Sequence, residues 1–210
     1  MGELLRFFRF LYDQRRPLPI PTTSDDVSSK VFMVVGSNAG IGLEASVFLA
    51  RQKPKLLVAT SRDSTKCKTT REAILERTDS GDGEGSAMET WPLEMSSFDS
   101  VRAIADRLAV REDNQLNVLV ANAGVLLDAF DNTQDGWELT LQVNYLSTAL
   151  LSLLLLPYLV KSSTAGSPSR LVIMSSVAHY NGTKSLKKAK TWDRILETIN
   201  VLNGTAYRNC

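Results

Sequence analysis

The sequence predicts an α/β fold, a doubly wound parallel sheet with helices on both faces in three layers. Short apolar runs alternate with longer stretches of helical periodicity along the chain. The runs are apolar at consecutive positions, the pattern of strands covered by helices on both sides. A glycine-rich turn, "GSNAGIG" at 36–42, joins the first run to the first long helical stretch.

The elements follow in order. Residues 1–16 carry Leu4, Phe7, Phe8 and Leu11 at helical spacing, with Arg6, Arg9, Arg15 and Arg16 around them. Such a segment suits either a short helix packed on the domain or one lying on a membrane surface. It is too short and too charged for a secretory signal, and Arg6 breaks the N-myristoylation pattern. "PLPIPTT" at 17–23 is a linker, so residues 1–27 form an appendage and 28–210 the main domain. "KVFMVV" (30–35), "KLLVATS" (55–61), "AMETWPL" (87–93), "LNVLVANAG" (116–124) and "SRLVIMSS" (169–176) read as five strands, the first, second and fourth of them buried. Helices are expected at 41–52, at 64–77 and over 96–110. In the last, Ser96 and Asp99 suggest a capping box, and Val101, Ile104, Ala105 and Leu108 keep helical spacing. "TDSGDGEGS" at 78–86 is a loop, and a long helix is expected at 135–160. That helix holds the longest apolar run, 146–160, which is short for a membrane span and reads as a buried core helix.

The chain has 210 residues, 43% of them hydrophobic, enough to bury a core. Lys and Arg number 24 against 23 Asp and Glu, which gives no electrostatic pull toward nucleic acid. Two cysteines, Cys67 and Cys210, make no disulfide framework and fit a reducing compartment. A single histidine, His179, and no Cys/His cluster argue against structural zinc. The expected location is cytoplasmic, or peripheral on an intracellular membrane if residues 1–16 contact lipid.

The turn at 36–42 suits a pyrophosphate. Gly36 permits the tight turn, Gly40 lets backbone approach a phosphate, and Gly42 lets the helix pack closely. The helix N-terminus adds free N–H groups and dipole charge. Ser37, Asn38 and Ile41 stand in the same turn.

The spacing is G-x-x-x-G-x-G, and with three further motifs in order the chain resembles the short-chain dehydrogenase/reductase family. These are "NAG" (Asn122, Ala123, Gly124) ending the fourth strand, "VNYLS" with Asn144 in the next helix, and "SSVAH" with Ser176 ending the fifth strand. The resemblance runs from about Ser28 to the C-terminus and is closest to retinol-dehydrogenase-like members. It implies a Rossmann domain binding NAD(P) and interconverting an alcohol and a carbonyl. Arg62 stands where an NAD-specific site carries an acid, with Lys66 a helical turn further, which suits the 2′-phosphate of NADP over NAD. Asp63 comes one residue late. The resemblance implies that Glu94, after the third strand, meets the adenine.

It also implies the catalytic set. Ser176 orients the substrate oxygen, Asn144 supports a proton relay, and Tyr207 passes the proton. Tyr180 and Lys184 have the right mutual spacing, but Asn181 and Gly182 between them signal a turn. The lysine partner of Tyr207 is expected at 211, beyond Cys210, so the chain reads as truncated, without the last two strands of the usual sheet. The expected consequences are an uncovered fifth strand, an exposed helix that suits a homodimer, low stability and little activity. The alternative expectation is a non-catalytic dinucleotide-binding or interaction protein. A methyltransferase on the same sheet accounts for neither Asn144 nor Ser176.

Overall fold

A computed structural model describes residues 2–13, 15, 17, 26–78, 87–127, 130–176, 196 and 200. Among these, five strands form one parallel sheet: β1 (Val31–Val35), β2 (Leu56–Ser61), β3 (Met88–Pro92), β4 (Val118–Ala121) and β5 (Arg170–Ile173). Their spatial order is β3-β2-β1-β4-β5. Every neighbouring pair is parallel, with Val34 beside Ala59 and Val120 and with Ala121 beside Ile173.

The consecutive apolar residues of β1 divide between two cores. Val31, Met33 and Val35 face α4 (Phe98–Ala109) and α6 (Thr148–Ser162), with Ile104, Leu108, Leu151 and Leu155. Phe32 and Val34 face α2 (Gly40–Arg51) and α3 (Ser64–Thr78), with Val47, Ala50 and Ile74. This two-sided division is the physical reason the strands lack polar alternation. Val27 joins the second core, so packing starts just before the expected boundary at 28. The N-terminal helix α1 (Gly2–Asp13) exposes Leu5, Phe8 and Leu11.

Two helix starts differ from expectation. α4 is capped by Ser97, whose hydroxyl accepts from the Ser100 N–H, rather than by Ser96. The Ser96 N–H instead donates to Glu94 Oε1 at 2.9 Å. The long helix starts at α5 (Leu139–Leu141), not at 135, because Gly136 takes φ +81 and Glu138 caps both Thr140 and Leu141 N–H. A π-helical turn at Gln142–Ser147 then leads into α6.

The helical stretch Leu139–Ser162 has 24 residues, long and apolar enough by length and composition to cross a membrane. Here Leu151, Leu155 and Leu159 are buried in the core, while Leu153, Leu156 and Val160 are exposed. The core-helix reading therefore holds for one face only. β5 is exposed along its length, as expected of an edge.

Candidate functional site

A cleft of 410 Å³ opens at the carboxyl ends of β1, β2, β3 and β4. Sheet order reverses between β1 and β4, the crevice where open α/β sheets bind ligands.

The glycine turn forms its floor. Gly36 lies at φ +79, and a Cβ there would come 3.0 Å from Ala123, so β1 and β4 meet backbone to backbone. Gly40, at φ +56, faces open space. A Cβ at Gly42 would come 2.1 Å from the Gly36 carbonyl oxygen and 2.5 Å from Asn122 Nδ2. The third glycine thus packs the helix against the turn itself. β2 holds the turn from the other side: Thr60 accepts from the Gly36 N–H through its hydroxyl at 3.3 Å and from the Ser37 N–H through its carbonyl at 2.8 Å.

The sequence candidates divide by role. Asn38, Gly36, Asn122, Ala123 and Gly124 line the cleft. The Asn122 amide also donates to the carbonyls of Val35 and Gly36, so it holds the turn. Ser37 is fully buried; its hydroxyl donates to Val34 and accepts from Ser46, and it does not line the cleft. Ile41 is exposed outside the cleft lining.

Arg62 and Glu94 line the cleft beyond β2 and β3, and Arg62 Nε stands 3.2 Å from Glu94 Oε2. Asp63 is the cap of α3, its carboxylate accepting from the Lys66 N–H at 2.8 Å. Lys66 is exposed in the first turn of α3 and does not line the cleft.

On the β4 side, Asn144 lies in the π-helical turn with its amide bonded to Val125, and Val125 and Val143 line the cleft. A half-buried network centred on the buried Gln142, which the sequence did not reveal, fixes this turn. Gln142 bonds Thr133 and Asp135, and Asp135 accepts from the Phe98 N–H at the start of α4. Its only local signal is a polar residue, Gln142, four positions before the apolar run at 146–160. Ser176 is described and exposed, three residues past β5, outside the cleft lining. Tyr207, Tyr180 and Lys184 lie outside the described residues.

The arrangement fits a dinucleotide. α2 starts at Ala39 in extended backbone, with no side chain capping its first N–H groups and no acid in its first turn. α4 and α5, by contrast, are both capped by their own side chains. Together with the open Gly40, this leaves amides and dipole free for phosphate.

A family model described as short chain dehydrogenase matches residues 30–188. The short chain dehydrogenase/reductase mfmJ of Annulohypoxylon moriforme is 35% identical over 172 residues, covering 81% of this chain and 48% of its own length. Retinol dehydrogenase 12 of Bos taurus is 34% identical over 188 residues, covering 87% of this chain and 56% of its own. A solved short chain dehydrogenase of Escherichia coli CFT073, complexed with NADPH, superposes with TM-score 0.60 at 26% identity, covering 77% of this chain and 64% of that one. The chain belongs to the short-chain dehydrogenase/reductase family, on its retinol-dehydrogenase-like side. It spans about half the length of the relatives it matches.

Proposed function

We propose that this chain binds NADP in preference to NAD and serves an oxidoreductase that interconverts an alcohol and a carbonyl. The observation that carries the preference is the end of β2: Arg62 lines the cleft, and the neighbouring acid, Asp63, is committed to capping α3. No carboxylate is then left at that strand end to hold the ribose hydroxyls. The Escherichia coli relative complexed with NADPH supports the same reading.

The bound cofactor would supply or accept the hydride. Gly36, Asn38 and Gly40 with the α2 N-terminus would hold the pyrophosphate, and Arg62 the 2′-phosphate. Ala123, Gly124 and Val125 would form the wall beside the nicotinamide half. Ser176 and Tyr207 would act on the substrate oxygen, Ser176 by orienting it and Tyr207 by moving the proton. The exposed apolar residues and arginines of the N-terminal segment favour peripheral contact with an intracellular membrane from the cytoplasmic side.

Calorimetric titration of purified protein with NADP and NAD tests this. Micromolar NADP binding with NAD at least about tenfold weaker is expected, a gap of about 1.4 kcal/mol. Equal affinity for both, or none, overturns the preference.

A further inference from the structure

Resting on the assignment of the cleft to NADP, we infer that Glu94 is a positioning residue for Arg62. Its carboxylate braces the guanidinium so that the terminal nitrogens face a 2′-phosphate. This differs from an adenine-contacting role for Glu94.

The register of the sheet creates the pair. β2 and β3 run parallel to their last residues, with Ser61 beside Pro92, and the Leu93 N–H still donates to the Ser61 carbonyl at 2.7 Å. Arg62 is the first residue past β2, and Glu94 is the second past β3, directly after Leu93. Both leave the sheet at the same corner of the cleft.

Glu94 is itself held at three points. Its N–H donates to Ser100 Oγ at 2.9 Å, its Oε1 accepts from the Ser96 N–H at 2.9 Å, and its Oε2 takes Arg62 Nε at 3.2 Å. Ser96 and Ser100 belong to the turn and first turn of α4, so the brace is anchored in the rigid layer. The Arg62 side chain is 69% exposed, and Glu94 is half as exposed at 34%. A long exposed arginine without such an anchor samples many rotamers, and binding has to immobilise it.

Which nitrogen is used matters. Nε is the Arg62 nitrogen that faces Glu94 Oε2, and among the described residues Nη1 and Nη2 make no hydrogen bond. That leaves the outer edge of the guanidinium, two parallel N–H groups, for bidentate contact with a phosphate. The carboxylate also carries charge that repels a phosphate dianion. Bracing and repulsion therefore oppose each other, and substitutions separate them. Glutamine removes the charge and keeps one of the two acceptor oxygens, so it can serve Arg62 or the Ser96 N–H but not both; alanine removes both.

The test is calorimetric titration of wild type, Arg62→Ala, Glu94→Ala, Glu94→Gln and the Arg62→Ala/Glu94→Ala double variant. The probes are NADP, NAD and adenosine 2′,5′-bisphosphate. In Glu94→Ala the NADP and bisphosphate affinities are expected to fall about fivefold, the scale of one newly immobilised long side chain. NAD affinity should stay within about twofold, which controls for damage to the adenine pocket. Glu94→Gln, which keeps one acceptor and loses the charge, should bind NADP with an affinity between those of Glu94→Ala and wild type. In the Arg62→Ala background, Glu94→Ala should cause no further loss, because the brace acts only through Arg62, and relief of the repulsion can only raise the affinity. Unchanged or tighter NADP binding in Glu94→Ala overturns the brace, as does an equal loss for NAD. If Glu94→Ala does not fold, Glu94→Ser, also too short to reach Arg62, carries the same comparison. Wild type that binds neither cofactor, or prefers NAD, refutes the assignment of the cleft and the brace with it. Wild type that prefers NADP through Arg62 but ignores Glu94 refutes the brace alone.

Discussion

Both ends of the Asn144 carboxamide are bonded to the backbone of one residue, Val125. Oδ1 accepts from the Val125 N–H at 2.8 Å, and Nδ2 donates to the Val125 carbonyl at 2.8 Å. The side chain thereby imitates a strand partner for the segment that leaves β4. The π-helical turn makes this reach available, because the extra residue re-aims the helix face toward the cleft. The side-chain amide serves as a clamp on the cleft wall, which supports any relay by holding the wall in place.

Asn144→Ala removes both bonds. The expected cost is about 1–2 kcal/mol, since two partly solvated neutral hydrogen bonds are lost. Asn144→Asp keeps the acceptor for the Val125 N–H but sets a carboxylate oxygen against the Val125 carbonyl. It should be at least as destabilising as alanine. Urea denaturation of the three proteins checks the order, and an aspartate variant as stable as wild type would remove the clamp from the account.

Elements whose causes are local were legible in the sequence. β1 and β2 are legible because two-sided burial leaves consecutive apolar residues, as in Val31–Val35. The turn was found because Gly36 and Gly40 need positive φ. Features that depend on distant partners were not legible. Ser37 looks like a phosphate ligand by position, yet Ser46, nine residues on, draws its hydroxyl inward. Ser96 and Ser97 are equivalent as local caps, and Glu94 decides between them by taking the Ser96 N–H. The helix expected from 135 starts at 139 because Glu138 and Asn200 bond the backbone there, and Asn200 is far away in sequence.

The glycines of the turn should separate by experiment. Gly42→Ala forces a Cβ to within 2.1 Å of a carbonyl oxygen, so backbone has to move. A loss of about 1–3 kcal/mol, as for overpacked cores, is expected together with loss of NADP binding. Gly40→Ala meets no neighbour and carries only the left-handed backbone cost, about 1–2 kcal/mol. Thermal unfolding with and without NADP tells them apart: both lose ligand stabilisation, but Gly42→Ala should melt lower. Retained NADP stabilisation in Gly40→Ala argues against a phosphate at that glycine.

Asp63 offers a check on cofactor preference from the opposite side. As the cap of α3 it accepts from the Lys66 N–H. Asp63→Ala should lower stability by about 1 kcal/mol, the usual cost of a lost cap. The ratio of NADP to NAD affinity should not change. A fall in NAD affinity specific to this variant would reassign Asp63 to the ribose hydroxyls.

Acid should act through a cluster just past the C-terminal end of α4. Arg111 Nη1 stands 2.7 Å from Glu89 Oε1, and its Nε 3.4 Å from Asp113 Oδ1; Lys55 Nζ is 3.0 Å from Asp113 Oδ2. Burial pushes both carboxyls up, but their partners together outweigh it. The Trp91 indole N–H and Arg111 hold Glu89 below the ordinary range. Lys55, the Gln115 N–H and Arg111 do the same for Asp113. Burial lowers Arg111, yet its two carboxylates leave it raised, so it stays charged throughout. Both carboxyls are thus more acidic folded than unfolded. Their stabilisation is complete above the unfolded carboxylate values, near about pH 4, and is lost as pH falls through the lower folded values. Urea midpoints should be flat with respect to these groups above about pH 5 and should drop below about pH 4. Glu89→Gln should lower the midpoint at neutral pH and flatten the acid limb. An acid limb as steep in Glu89→Gln as in wild type would place the titrating groups elsewhere.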